Sequence, residues 1–140
     1  MAAKVRGPAP TDSVKGPGTG SRGIIVVVED DADTRAGLQY ALEEEAYEVF
    51  STGNGNEALE RLHSTPNAAV VLLDLYMPGL SGFEFYQRLR ASPQLRSIPV
   101  IVVTAAPPRA RIGLDVSAIV RKPIDVKELL MAIRSAVPRA

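Results

Sequence analysis

The sequence predicts an α/β fold, a parallel sheet covered by helices on both faces, and three observations carry that expectation. Five short segments rich in aliphatic and β-branched residues alternate with helical patterns along most of the chain. Ile24–Val28, Val70–Leu75 and Val100–Thr104 are nearly unbroken apolar runs, as expected of strands buried on both sides. Helices between strands imply right-handed crossovers, which join parallel neighbours and lay the helices on both sheet faces.

The elements follow in order. Ile24–Val28 is the first strand, and Asp31 stands before a helical pattern as its N-cap. Thr34, Leu38, Ala41 and Leu42 form the expected inner face of that helix, with Glu43–Glu45 as its solvated end. Tyr47–Ser51 alternates and reads as an edge strand; a helix over Asn56–His63 follows. His63, near that helix's end, is read as a surface residue favouring the terminus. Val70–Leu75 precedes a turn at Met77–Pro78–Gly79 and a helix over Gly82–Ala91. Val100–Thr104 is the fourth strand and Ala118–Lys122 the other edge. Val126, Leu129, Leu130, Ile133 and Val137 make one stripe of a last helix over Val126–Val137, which Asp125 and Glu128 begin as a capping box.

Composition narrows the chemistry. The 140 residues suit one domain, and 46% hydrophobic residues suffice for a core without Trp. Absence of Cys removes disulfides, thiolate metal sites and cysteine catalysis, and a single His disfavours histidine-based hydrolysis or metal binding. No apolar run approaches a membrane span or a signal peptide, so a cytoplasmic protein is expected, without membrane attachment. Residues 1–23 carry Lys4, Arg6, Lys15 and Arg22 against Asp12, a net +3, and the remainder carries −3. With five Gly, three Pro and no aromatic residue, this leader is expected to be disordered and to bind no nucleic acid.

In open parallel sheets, sites gather beyond the carboxyl ends of the strands. Glu29 and Asp30 follow the first strand, Asp74 lies near the end of the third, Thr104 ends the fourth, and Lys122–Pro123 follows the fifth. Three carboxylates on one rim repel by roughly 1 kcal/mol per pair at 4 Å in water, and by about 4 at an effective dielectric of 20. A shared cation would compensate.

These segments resemble the receiver domain of two-component response regulators. VVVEDDADTR resembles the acidic-pair segment, LLDLYMPGLSGFE the phosphoacceptor segment, VVTA the switch-threonine segment and RKPI the lysine–proline segment. The likeness covers about residues 24–137 and implies a doubly wound five-stranded parallel sheet in order 2-1-3-4-5, with residues 24–140 as the receiver domain. It implies a phosphoryl transfer from a histidine kinase or histidine phosphotransfer protein to Asp74, with self-catalysed transfer and autodephosphorylation as the only chemistry. Glu29, Asp30, Asp74 and the Tyr76 backbone carbonyl would hold Mg²⁺, Lys122 would pair with a phosphoryl oxygen, and Thr104 would hydrogen-bond another. Small Ala105 would leave room for the donor, and the Lys122–Pro123 bond would be cis.

Three departures modify these expectations. Ile119 stands where the family has an aromatic switch residue, so an aromatic readout is not expected. The span from Thr104 to Lys122 is short and holds Pro107–Pro108, so the fourth helix of the pattern should be shortened or irregular. Ala46 replaces a glycine at the first helix's end. A haloacid-dehalogenase-type phosphatase would need an acid where Tyr76 stands, and a flavodoxin-type phosphate loop at Ser51–Ala58 follows the wrong strand. A receiver-like adaptor would not need the acids that this chain keeps. Because no output segment follows Val137, a stand-alone receiver, monomeric or weakly dimeric and docking onto an unknown target, is expected over a fragment of a larger regulator.

Overall fold

The computed structural model describes residues 21–77, 79–106 and 113–137. Among these residues the order is β1 (Ile24–Val28), α1 (Ala32–Glu44), β2 (Glu48–Thr52), α2 (Gly55–Ser64), β3 (Val70–Asp74), α3 (Gly82–Ala91), β4 (Val100–Thr104), β5 (Ala118–Arg121) and α4 (Val126–Ala136). All strands pair in parallel in the order β2-β1-β3-β4-β5, the expected flavodoxin-like arrangement. The expected shortened or irregular helix falls between β4 and β5, where residues 107–112 lie outside the described residues. Residues 1–20 of the expected leader lie outside them too, but Arg22 already donates from its amide to the Ala46 carbonyl.

The apolar runs are buried on both faces because successive side chains point to opposite sides of the sheet. Val26, Val28, Val71, Leu73, Val100 and Val102 meet α2 and α3 through Leu62, Phe85 and Leu89. Ile25, Val27, Val70, Leu72, Ile101 and Val103 meet α1 and α4 through Leu38, Leu42, Leu129 and Ile133. The sheet is therefore a double-sided wall, with the buried Glu29, Asp74 and Thr104 gathered at its carboxyl rim. The edge strands β2 and β5 are partly exposed, as their sequences suggest.

Each helix starts at a side-chain cap: Asp31, Asn54, Ser81 and Asp125 accept from amides in the first turn. In α1 only Leu38 and Leu42 of the expected stripe are buried, while Thr34 and Ala41 are half-buried. Thr34 is drawn instead to the cap, giving both its amide and its hydroxyl to Asp31. His63 is exposed, 3.4 Å from Gln94. Ala46 has φ 72°, the left-handed conformation that a glycine would take without strain.

Candidate functional site

The rim is assembled from loops that leave the strands. Val28 ends β1, and the Glu29 amide donates to the Thr52 carbonyl at 2.9 Å, extending the β1–β2 ladder by one residue. That bond turns the Glu29 side chain into the protein, where it is 2% exposed; Asp30, next along the loop, is exposed. Asp74 ends β3 at 5% exposure, and its register partner on β4 is Val103, so Thr104 lies one residue further along the same rim. Thr104 is fully buried. The Lys122 amide donates to the Thr104 carbonyl at 2.8 Å, and the Lys122–Pro123 peptide bond is cis.

One carboxylate oxygen from each of Glu29, Asp30 and Asp74 lies within 4.8 Å of the others. Lys122 Nζ lies 2.9 Å from Glu29 Oε1 and 3.6 Å from Asp74 Oδ2. Glu29 Oε2 accepts from the Asp31 amide at 3.1 Å, whereas the buried Oε1 accepts no well-formed hydrogen bond and meets only the lysine charge. Asp74 Oδ1 accepts from the Tyr76 amide at 3.2 Å. Where a dehalogenase-type phosphatase would need an acidic side chain, the Tyr76 ring stands instead, more than half exposed and edge-on to Phe83.

Burial pushes the Asp74 carboxyl up to about 6, and the Glu29 charge adds to the rise; the Tyr76 amide and Lys122 pull the other way. For Lys122, burial lowers its affinity for the proton, but the Glu29 contact and the two carboxylate charges outweigh it, so the ammonium is held above its ordinary range. Asp31 stays below the usual carboxylate range because the Thr34 hydroxyl and amide bond its charged form. It is a cap, as its position in the sequence suggests, and not a member of the cluster.

The donor set fits a hard divalent cation. Mg²⁺ takes oxygen ligands and keeps several waters, and here an exposed carboxylate stands beside two buried ones, one of them with an oxygen that accepts no hydrogen bond. Thr104 Oγ1 accepts from the Ala106 amide at 3.1 Å, which leaves its own O–H free to donate. The Ser51–Ala58 loop has no comparable arrangement: Asn54 caps α2, and the Thr52 hydroxyl donates to Glu57.

Three contacts that shape the rim escape a reading of residue types. Gly82, at the start of α3, sits so close to β3 that a Cβ there would stand 2.5 Å from both the Asp74 carbonyl oxygen and Leu75 Cα. The Arg35 guanidinium reaches back from α1 to the acidic loop, donating to the Glu29 carbonyl at 2.8 Å and the Asp30 carbonyl at 3.4 Å. The Tyr86 hydroxyl on α3 donates to the Asp115 carbonyl at 2.7 Å and ties down the segment before β5. An arginine six residues after a loop acid is the one hint of the second contact that the sequence offers.

Among the described residues no helix is long and apolar enough to cross a membrane. The sequence profile of the response regulator receiver domain matches residues 25–134. The chain is 40% identical over 120 residues to the uncharacterized transcriptional regulatory protein YkoG of Bacillus subtilis, a match covering 83% of this chain and 51% of that protein. It is 35% identical over 119 residues to the sensory transduction protein RegX3 of Mycolicibacterium smegmatis, covering 82% of this chain and 50% of that one. The chain therefore spans about half the length of these relatives. Among solved structures, a sensor protein from Polaromonas sp. JS666 superimposes with a TM-score of 0.76 at 27% identity, covering 82% of this chain and 95% of that one. With the fold, the rim and the profile in agreement, the chain belongs to the response regulator receiver domain family.

Proposed function

We propose that the domain accepts a phosphoryl group on Asp74 from the phosphohistidine of a histidine kinase or histidine phosphotransfer protein, in a Mg²⁺-dependent reaction. The observation that carries this reading is the convergence of Glu29, Asp30 and Asp74 within 4.8 Å, with Lys122 facing two of them.

Near neutral pH the Asp74 carboxyl, at about 6, is mostly ionised and able to attack phosphorus. An Asp74 oxygen forms the new O–P bond as the P–N bond to the donor imidazole breaks, and the electron pair stays on the imidazole nitrogen. Glu29, Asp30, Asp74 and the Tyr76 carbonyl would hold Mg²⁺, which when bound offsets carboxylate repulsion and the charge of the transferring group. Lys122 keeps its proton and supplies a positive charge beside Asp74. Thr104 offers its O–H to the acyl phosphate once formed. Hydrolysis of that acyl phosphate by water returns the carboxylate and releases inorganic phosphate, so the domain's chemistry acts on itself rather than on a separate substrate. The phosphorylated surface then docks onto a downstream protein.

Incubation with acetyl phosphate and Mg²⁺ tests this reading. Wild type should acquire one acid-stable, base-labile phosphoryl group, and chelation of Mg²⁺ should prevent it. An unlabelled wild-type domain that still folds would overturn the reading in favour of an adaptor that binds partners without phosphorylation.

A further inference from the structure

Arg35 takes no part in the scheme above, yet its side chain bonds the backbone of the acidic loop. Its Nη1 bonds the carbonyls of Glu29 and Asp30, and it makes no ion pair with either carboxylate. The guanidinium occupies a seat that Gly53 leaves open: a Cβ at Gly53 would lie 3.0 Å from Arg35 Nη1, 3.2 Å from Asp30 Cα and 3.4 Å from the Glu29 carbonyl oxygen. Three segments therefore meet at one cation: the loop after β1, the end of the first turn of α1 and the turn after β2.

The two acids of the loop are held differently. The Glu29 carboxylate is buried and fixed by the Asp31 amide and Lys122. The Asp30 carboxylate is exposed, and among the described residues no hydrogen bond or ion pair reaches it. Its position is set by its backbone alone, and Arg35 is the side chain that grips that backbone. We propose that Arg35 is a positioning residue for the cation site, holding the Glu29–Asp30 backbone so that the Asp30 carboxylate points into the cluster while remaining free to bind. A bond to the carboxylate itself would compete with the incoming cation; a bond to the carbonyls does not. Partners that orient metal ligands typically change affinity by about 10–100-fold when removed.

This inference rests on the reading of Glu29, Asp30 and Asp74 as cation ligands. The test is Mg²⁺ titration by calorimetry, with thermal melting in the absence of metal measured on the same samples. Arg35→Ala should weaken Mg²⁺ binding by about tenfold or more while its metal-free melting temperature stays near that of wild type. Arg35→Lys should recover part of the affinity, because a single ammonium reaches one carbonyl but lacks the planar fork. Gly53→Ala should weaken binding in the same direction, and in combination with Arg35→Ala its effect should be less than additive, because one fills the seat and the other removes the group that occupies it. Should Arg35→Ala fail to fold, Arg35→Lys and Gly53→Ala carry the comparison. Mg²⁺ affinity within twofold of wild type in Arg35→Ala, or a loss matched by a fall in metal-free stability, overturns the positioning role. Failure of wild type to bind Mg²⁺ would overturn the proposed function as well; normal wild-type binding with an unaffected Arg35→Ala overturns this inference alone.

Discussion

On the β1 side of the rim, the amides of Glu29, Asp31 and Thr34 all find partners, and Arg35 binds two further carbonyls. On the β4 side, Thr104 receives one amide, from Ala106, and its carbonyl receives another, from Lys122. Beyond Ala106 the next anchors among the described residues are Leu114 and Val116, which pack against the Phe85 core, and the Tyr86–Asp115 bond. The acidic half is thus pre-arranged for an ion, while the described part of the threonine half is held at Thr104, at Ala106, whose carbonyl accepts from Arg121 at 3.1 Å, and at Asp115. Segments with few buried contacts open at low free energy and are the ones a ligand reorganises most readily. Chemistry is expected to belong to the acidic half of the rim and readout to Ala105–Leu114.

The strongest way to break this division is Asp74→Asn. The variant should fold and lose phosphoryl labelling entirely; acid-stable label on it would move the acceptor to another residue. Amide hydrogen exchange with and without beryllofluoride and Mg²⁺ would then sharpen the division. Protection should change most in Ala105–Leu114, of which residues 107–112 lie outside the described residues, and little in α4. A responsive α4 beside an unresponsive Ala105–Leu114 would place the switch elsewhere in the domain.

Gly82→Ala probes the wall behind the acceptor. Its Cβ would meet backbone rather than a yielding side chain, so a loss of about 1–3 kcal/mol is expected, read as a lower melting temperature. A neutral substitution would mean that α3 can slide away from β3.

The pH dependence of metal-free stability is next. Asp74 titrates near 3.8 when unfolded and at about 6 when folded, so between those values the native state holds a proton that the unfolded chain has released. Stability should therefore fall as pH rises through that window and level off above it, by on the order of 1–3 kcal/mol. Asp74→Asn should remove the decline; a decline that persists belongs to another group. Asp31 acts with the opposite sign at lower pH, where stability is lost as its carboxylate protonates.

Asp30→Ala should weaken Mg²⁺ binding by about tenfold or more, or roughly 1.4 kcal/mol, and raise the melting temperature without metal by removing one of three crowded charges. A variant that binds Mg²⁺ as tightly as wild type takes Asp30 out of the site. Ala46→Gly, remote from the rim, should have the smallest effect. Relief of the left-handed strain, offset by the greater freedom of glycine in the unfolded chain, leaves a gain of a few tenths to about 1 kcal/mol. Denaturant unfolding would read it, and Mg²⁺ affinity should not move.

The strands were legible because β-branched runs buried on both faces are dense in sequence, and the rim was legible because each run ends in a polar residue. Boundaries at the edge were less so. Tyr47 is buried ahead of β2, and Thr52 belongs to the strand because the Glu29 amide seeks its carbonyl. Thr34 reads as an inner-face residue by spacing, but its hydroxyl finds the Asp31 cap. What the sequence conceals is held by backbone: Arg35 on two carbonyls, Gly82 on the end of β3 and Tyr86 on Asp115. Those partners have no residue type and leave no pattern. Ile119 illustrates the middle case: its departure from an aromatic is plain in the sequence, while its packing against the Phe85 core emerges only in the fold.

The closeness of Gly82 to Asp74 also has a directional meaning. A group added to the Asp74 carboxylate has helix backbone immediately behind its strand, with no side chain between to compress. The strand end cannot recoil from new bulk and charge toward α3. Displacement would be left to run along the rim, toward β1 on one side or toward β4 and Thr104 on the other. The close approach that a missing methyl group permits thus makes the α3 backbone a backstop for the end of β3.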